Sequence, residues 1–334
     1  MLIVCGSATS WIMNNLINNH GGLYNRITAT IELLPFSLYE TELFLKSKNI
    51  IWSHYQIAEI YMIMGGIPFY LDKLKQGKSV TKNIDDIFFS KSAELKKEFK
   101  NLFVSLFDNA ENYEQIVGIL SGNRNGLTRK EIITTAGMKS GKKITTILNN
   151  LEYSGFIRSY SQPRKKTEII YQMIDSFTMF YFNFLHKNNF RDEKFWTNKL
   201  NTSQRNVWSG LSFEIVCLLH VREIKKKLDV LGVQSSEFAW RSKNLSPNIQ
   251  IDLLLDRADN IINLCEIKFS NLPYSITKDY EEKLREKIEI FRQDTLQRKA
   301  IHLLMLTTFG LKQNKYSGIV QNEIILDDLF SRAE

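Results

Sequence analysis

The chain has 334 residues, 43% of them hydrophobic, which is enough for two or three domains with real cores. Its formal charge is +8, from 44 basic against 36 acidic side chains, and no apolar run reaches membrane-spanning length. The short apolar runs, with a start Met1-Leu2-Ile3-Val4-Cys5-Gly6 that lacks a basic leader, predict a soluble protein, and three cysteines, Cys5, Cys217 and Cys265, set in apolar runs predict a cytoplasmic one.

In chain order, Leu2 to Cys5 reads as a buried strand that turns at Gly6 and Ser7, and Met13 to Asn18 as a helix. Three glycine- or proline-marked stretches follow: Gly21-Gly22-Leu23-Tyr24-Asn25-Arg26-Ile27-Thr28, then Leu34-Pro35-Phe36, then Met64-Gly65-Gly66-Ile67-Pro68-Phe69-Tyr70-Leu71. Gly77-Lys78-Ser79 imitates the end of a phosphate-binding loop. Asp72 holds the place of that loop's first glycine, and a helical run precedes it where a strand is required, so no nest for phosphates is expected there.

The middle third concentrates the charge. Between Arg124 and Lys166 lie ten basic residues against only Glu131 and Glu152. The same span reads as a winged helix: Tyr113 to Leu120 is a first helix, Thr128 caps a second one to Ala136 with Glu131 completing a capping box, and Ser140 opens a third that Gly155 stops. Phe156 to Tyr160 and Glu168 to Gln172 then make two strands around a wing tipped by Pro163, Arg164, Lys165 and Lys166. Lys139, Lys142 and Lys143 at the start of the third helix, with Arg164, Lys165 and Lys166 on the wing, are the candidate DNA contacts. A protein-binding winged helix with solvated lysines is the alternative. Phe177, Phe180, Tyr181 and Phe184 recur at helical spacing and are expected to pack against a neighbouring element.

The last third carries the most chemistry. Glu214 lies on the apolar face of a helix with Leu211, Leu218 and Val221, where an acid is costly without a buried partner. Ile249 to Leu255 reads as a strand, Asp256 to Asn260 as a turn and Ile261 to Phe269 as the returning strand. With the turn centred on Asp259, Asp252 faces Glu266, and Lys268 sits beside Glu266 on the same side. Two carboxylates and an ammonium on one face fit a metal-dependent phosphodiesterase: Asp252 and Glu266 would hold Mg²⁺ or Mn²⁺, Lys268 would orient the water and offset charge, and Glu214 would hold a metal-bound water. A cross-strand salt-bridge cluster is the competing explanation. The tripeptide Glu-x-Lys recurs at Glu94, Glu98, Glu223 and Glu281 in segments that look helical, so only its place on a hairpin gives it weight. Arg222 to Lys227 is expected to continue the Glu214 helix as its solvated end, and Tyr280 to Arg292 to form an exposed helix before the strand Ala300 to Leu306. Glu323 to Leu326 should complete the sheet. Cys5, Cys217 and Cys265 sit in apolar runs, and five scattered histidines without a Cys-x-x-Cys argue against zinc.

The first strand, the segment around Arg26, the Gly-Gly-Ile-Pro run and the order of the later parts resemble the prokaryotic AAA-type ATPases that carry a C-terminal nuclease-like domain. The resemblance implies that Ser7 marks the γ-phosphate sensor position and that Arg26 stands where an arginine finger could serve a neighbouring subunit. A surface arginine, or one paired with Glu32, is the alternative for Arg26. It also implies a helical lid, a winged helix, a PD-(D/E)XK domain of the restriction-endonuclease type, and room for a homo-oligomer. A complete member has a phosphate loop and an acidic magnesium-binding strand before this point. Neither stands here, so the expectation is a chain that begins inside the ATPase domain, with ATP a ligand only of a complete member and no autonomous ATP hydrolysis.

The expected architecture is multi-domain α/β. Residues 1–105 form the remnant of an ATPase core with its lid, 106–190 the winged helix and 191–334 the nuclease-like domain with a central mixed sheet.

Overall fold

Serine and threonine caps start most of the long helices. In the computed structural model, which describes residues 28, 29, 31–161, 168–188, 192–242 and 249–332, Ser37 caps α1 (Leu38–Ser47) and Ser53 caps α2 (His54–Met64), each in a complete capping box with Glu40 and Gln56. Gly65, at φ 60°, ends α2. Gly66 then lets the backbone of Phe36 approach so closely that an added Cβ would sit 1.8 Å from the Phe36 carbonyl oxygen. The Phe36 N–H donates to the Gly66 carbonyl at 2.8 Å, and the Tyr61 hydroxyl donates to the Phe36 carbonyl at 2.8 Å. The Gly-Gly-Ile-Pro run therefore has a local steric cause.

Next come α3 (Glu98–Leu106), α4 (Ala110–Ser121), the short β1 (Leu127–Thr128), α5 (Arg129–Ala136), α6 (Lys142–Tyr153), β2 (Ile157–Ser161), β3 (Ile169–Met173) and α7 (Ser176–Phe180). Thr128 and Glu131 form the capping box that their spacing predicts. Gly141 and not Ser140 caps α6. β1, β3 and β2 make one three-stranded sheet in that order. The remaining elements are α8 (Ser203–Leu219), α9 (Val221–Lys227), β4 (Ser235–Arg241), β5 (Gln250–Arg257), β6 (Ile261–Lys268), α10 (Lys278–Thr295), β7 (Ala300–Thr307) and β8 (Asn322–Ile325). Strands β4 to β8 lie in chain order in one mixed sheet, antiparallel through β6 and parallel from β6 to β8. The protein is thus mixed α/β with two sheets.

The chain divides into two compact units. One consists of the described parts of Met1–Pro35, Thr81–Ser159 and Ile170–Thr197, and the other of Phe36–Val80, Tyr160–Ile169 and Asn198–Glu334. The reason is apolar burial. α2 buries seven of its eleven residues, and it packs on α8. The unit that holds Thr81–Ser159 is cemented by rings: Phe88 meets Phe177 and Phe180 at 5.8 and 5.4 Å, and Trp196 meets Phe180 and Phe184 at 5.2 and 5.0 Å. Phe177, Phe180, Tyr181 and Phe184 are all buried there, as core residues.

Two expectations for the other unit change. The helix carrying Glu214 does not run on to Lys227: it breaks at His220, whose Nδ1 bonds the Val216 carbonyl at 2.7 Å while its Nε2 accepts the Leu38 N–H at 2.9 Å. Arg222 to Lys227 is no plain solvated end either, since Lys227 pairs with Asp328 at 2.8 Å and Glu223 is buried. Ser7, Arg26, the strand expected at Leu2 to Cys5 and the expected wing-tip residues Arg164, Lys165 and Lys166 lie outside the described residues.

Candidate functional site

The β5–β6 hairpin fixes the site. Leu253 pairs with Cys265, Leu254 with Leu264, Leu255 with Asn263 and Asp256 with Ile262. The paired register ends at Leu253 and Cys265; carried one pair further it would set Asp252 opposite Glu266. Asn260, at φ 66°, supplies the turn. Asp252 is half-buried, and its Oδ1 accepts from the Gln250 amide at 3.0 Å.

Glu266 is buried and takes only side-chain donors. The Lys268 ammonium lies 2.9 Å from Oε1, the Tyr280 hydroxyl donates to Oε1 at 2.5 Å, and the Lys287 ammonium reaches Oε2 at 2.6 Å. Burial pushes the Glu266 carboxyl up, but Lys287, Lys268 and the hydrogen bonds from Lys287 and Tyr280 together outweigh it and hold the pKa at about 2. Burial also works against the Lys268 ammonium. Glu266, Tyr274 and Glu214 more than compensate, so its pKa is raised. Glu214, buried on α8, therefore belongs to the same electrostatic neighbourhood as Lys268. Burial drives the Tyr280 hydroxyl upward, and Glu266 adds to it, so Tyr280 is a fixed hydrogen-bond donor.

Tyr280 and Lys287 were missed as site residues by treating their segment as an exposed linker helix. The signal was present: Tyr280, Leu284, Lys287 and Phe291 are spaced four, three and four apart, so they share one face of α10. Leu284 and Phe291 bury that face and aim Tyr280 and Lys287 at Glu266.

Magnesium and manganese take hard oxygen ligands, and magnesium is often held by one or two carboxylates together with waters and phosphate oxygens. The Asp252 and Glu266 pair fits that chemistry. Among the described residues no group of three or more His, Cys, Asp or Glu side chains could hold a metal ion, so protein ligands beyond this pair are not gathered here. A cation entering here would compete with Lys268 and Lys287 for the Glu266 oxygens.

The described candidate DNA contacts lie in the other unit. Lys139, Lys142 and Lys143 are exposed at and just before the first turn of α6, whose outward face continues through Thr145, Thr146 and Asn149. Arg129 donates to the Gly141 carbonyl at 3.0 Å and so ties the start of α5 to the start of α6. Gly77-Lys78-Ser79 lies in a turn after the helical Pro68–Leu71, with no strand before it among the described residues. Cys217 and Cys265 are free and buried, and burial raises both thiols, which makes them unreactive core residues. No helix among the described residues is long and apolar enough to cross a membrane.

An uncharacterized protein of Methanocaldococcus jannaschii is similar to this chain, with 26% identity over 230 residues. The match covers 67% of this chain and 50% of that protein, so the chain spans about half the length of the relative. No family model matches the chain, and no solved structure matches it.

Proposed function

We propose that the protein is a divalent-cation-dependent phosphodiesterase acting on DNA, with a restriction-endonuclease-like unit for the chemistry and a winged helix for the grip. One observation supports the reading: Lys268 lies 2.9 Å from Glu266 with the buried Glu214 close enough to act on Lys268, and the hairpin register, carried one pair beyond Leu253 and Cys265, would set Asp252 opposite Glu266. A bound Mg²⁺ or Mn²⁺ would polarise a phosphate oxygen and acidify a water. Asp252 and Glu266 would hold it. Lys268, partly exposed, would place its ammonium against the phosphate and offset the charge that builds as water attacks phosphorus and the bond to the leaving sugar oxygen breaks. Glu214 would accept a hydrogen bond from the attacking water. Lys142 and Lys143 would grip phosphates without reading sequence. The cytoplasm is the compartment that this reading requires.

A second reading rests on its own observation. Both Glu266 oxygens already accept from Lys287, Lys268 and Tyr280, which suits a structural cluster in a catalytically silent DNA- or protein-binding module. The test is cleavage of single-stranded and duplex DNA with and without Mg²⁺ or Mn²⁺. The phosphodiesterase reading expects cation-dependent cleavage that Asp252→Asn abolishes and Lys268→Ala lowers by about a hundredfold or more. DNA binding with no cleavage under any cation supports the module.

A further inference from the structure

A ring ladder stands beside the candidate site. Tyr55, in the first turn of α2, lies between Phe269 and Phe309, with centroids 5.0 and 5.5 Å away and planes tilted by only 16° and 18°. Phe269 directly follows Lys268, and Phe309 comes two residues after Thr307, the register partner of Lys268 on the parallel strand β7. The ladder thus stands off the carboxyl ends of β6 and β7, the place where α/β sheets usually present ligands. Phe309 is 44% exposed, so the end of the ladder is open. It borders an open groove that Trp52, His54, Asn271 and Asp327 also line.

The polar groups of this groove suit the edge of a heteroaromatic ring. Asn271 accepts from the Tyr55 hydroxyl through its oxygen at 2.8 Å, which turns its amide N–H groups to the other side. Asp327, with a side chain 65% exposed, offers carboxylate oxygens to exocyclic amines. The His54 ring lies 2.7 Å from Asp327, and Lys46 pairs with the neighbouring Glu42 at 2.7 Å, so each acid already has a partner at the pocket wall.

We propose that this pocket takes one unpaired nucleobase of a DNA strand, stacked on the open face of Phe309, while a phosphate of the same strand lies at Lys268. The inference rests on the phosphodiesterase reading for its strand, and it makes single-stranded or splayed DNA the substrate class. Aromatic stacking of this kind is tolerant of base identity, and its loss on substitution weakens binding roughly five- to a hundredfold per base.

The experiment is fluorescence anisotropy on the full chain in EDTA, where no cleavage occurs. The probes are a short labelled single strand, an abasic strand of equal length, and the matched duplex. The proposal expects the single strand to bind at least about tenfold tighter than the abasic strand, Phe309→Leu to remove that difference, and Phe309→Trp to keep it. Thermal unfolding of both variants should match the parent. Equal binding of normal and abasic strands, or an unchanged affinity in Phe309→Leu, overturns it. So does binding of a free deoxynucleoside monophosphate without binding of the strand, or displacement of the strand by a lysine- and arginine-containing peptide that Phe309→Leu no longer binds. Cleavage with Mg²⁺ is scored separately, so a silent catalytic site and an empty base pocket give different results.

Discussion

Asp85 and Glu266 are both buried acids, one in each unit, and they are stabilised by opposite means. Asp85 accepts the backbone N–H groups of Trp196 and Thr197 at 2.8 and 3.2 Å and the Thr197 hydroxyl at 2.5 Å. Its donors are largely main chain, fixed by the fold. Glu266 takes two ammonium groups and a phenol, each at the end of a side chain that can turn away. A buried carboxylate satisfied by main chain serves structure. One satisfied by cationic side chains is stable only while they stay in place, and it can trade them for a metal.

The largest effect expected in this comparison comes from removing charge at Glu266. Glu266→Gln keeps the shape but strands Lys268 and Lys287, and should cost about 3 kcal/mol at neutral pH by chemical denaturation. The same magnitude should appear as a pH dependence. The carboxyl titrates at about 2 in the folded chain against 4.5 for an unperturbed one, so the unfolded chain binds more protons in that window. The stabilisation is complete above about pH 4.5 and is lost as pH falls toward 2, by about 3 kcal/mol in all. Denaturation midpoints of Glu266→Gln should lack this acid limb. His220 acts earlier: burial lowers its pKa to about 4 from 6.5, so stability falls as pH drops from about 6.5 to 4, and His220→Leu should flatten that stretch.

Replacing Lys287 by methionine sharpens the contrast. Without the ammonium the apo protein should lose about 2 kcal/mol, and added Mg²⁺ should raise its melting temperature more than it does in the parent, because the competitor for Glu266 is gone. An equal Mg²⁺ response in both proteins would argue against exchange at this carboxylate. Asp85→Asn should cost about 1–2 kcal/mol, since its oxygen still accepts from the main chain, and leave any Mg²⁺ response unchanged. The smallest stability effect belongs to Lys142→Ala with Lys143→Ala: less than about 0.5 kcal/mol. If these lysines touch phosphate, the same change should lower the salt slope of DNA binding by roughly one unit per lost contact.

Local chemistry was readable along the chain, and long-range assembly was not. The strands of the hairpin could be paired because strand alternation and the turn before Ile261 fix a register with few choices. Thr128 and Glu131 could be paired because a capping box is a three-residue event. β4 was missed. Phe238, Ala239 and Trp240 are buried in succession where the register shifts between Phe238 and Trp240, so no alternation marks the strand. The break at His220 depends on Leu38, far away in sequence, and no local pattern foretells it. Tyr280 and Lys287 were hidden by the charge of α10, although their spacing gave the face.

The unit that holds the acidic site draws on Phe36–Val80, Tyr160–Ile169 and Asn198–Glu334, and most of the other unit's residues come between the first and last of these in sequence. During synthesis α2 leaves the ribosome with Ile57, Ile60, Ile63 and Met64 ready to be buried, while α8, the helix it packs on, is still unmade. At 5–20 residues per second that wait lasts on the order of ten seconds. The ring-cored unit is itself complete only at Thr197, so through the wait α2 depends on whatever shields apolar helices in the nascent chain. Substitutions that slow the intervening unit should therefore reduce the yield of active protein more than its final stability.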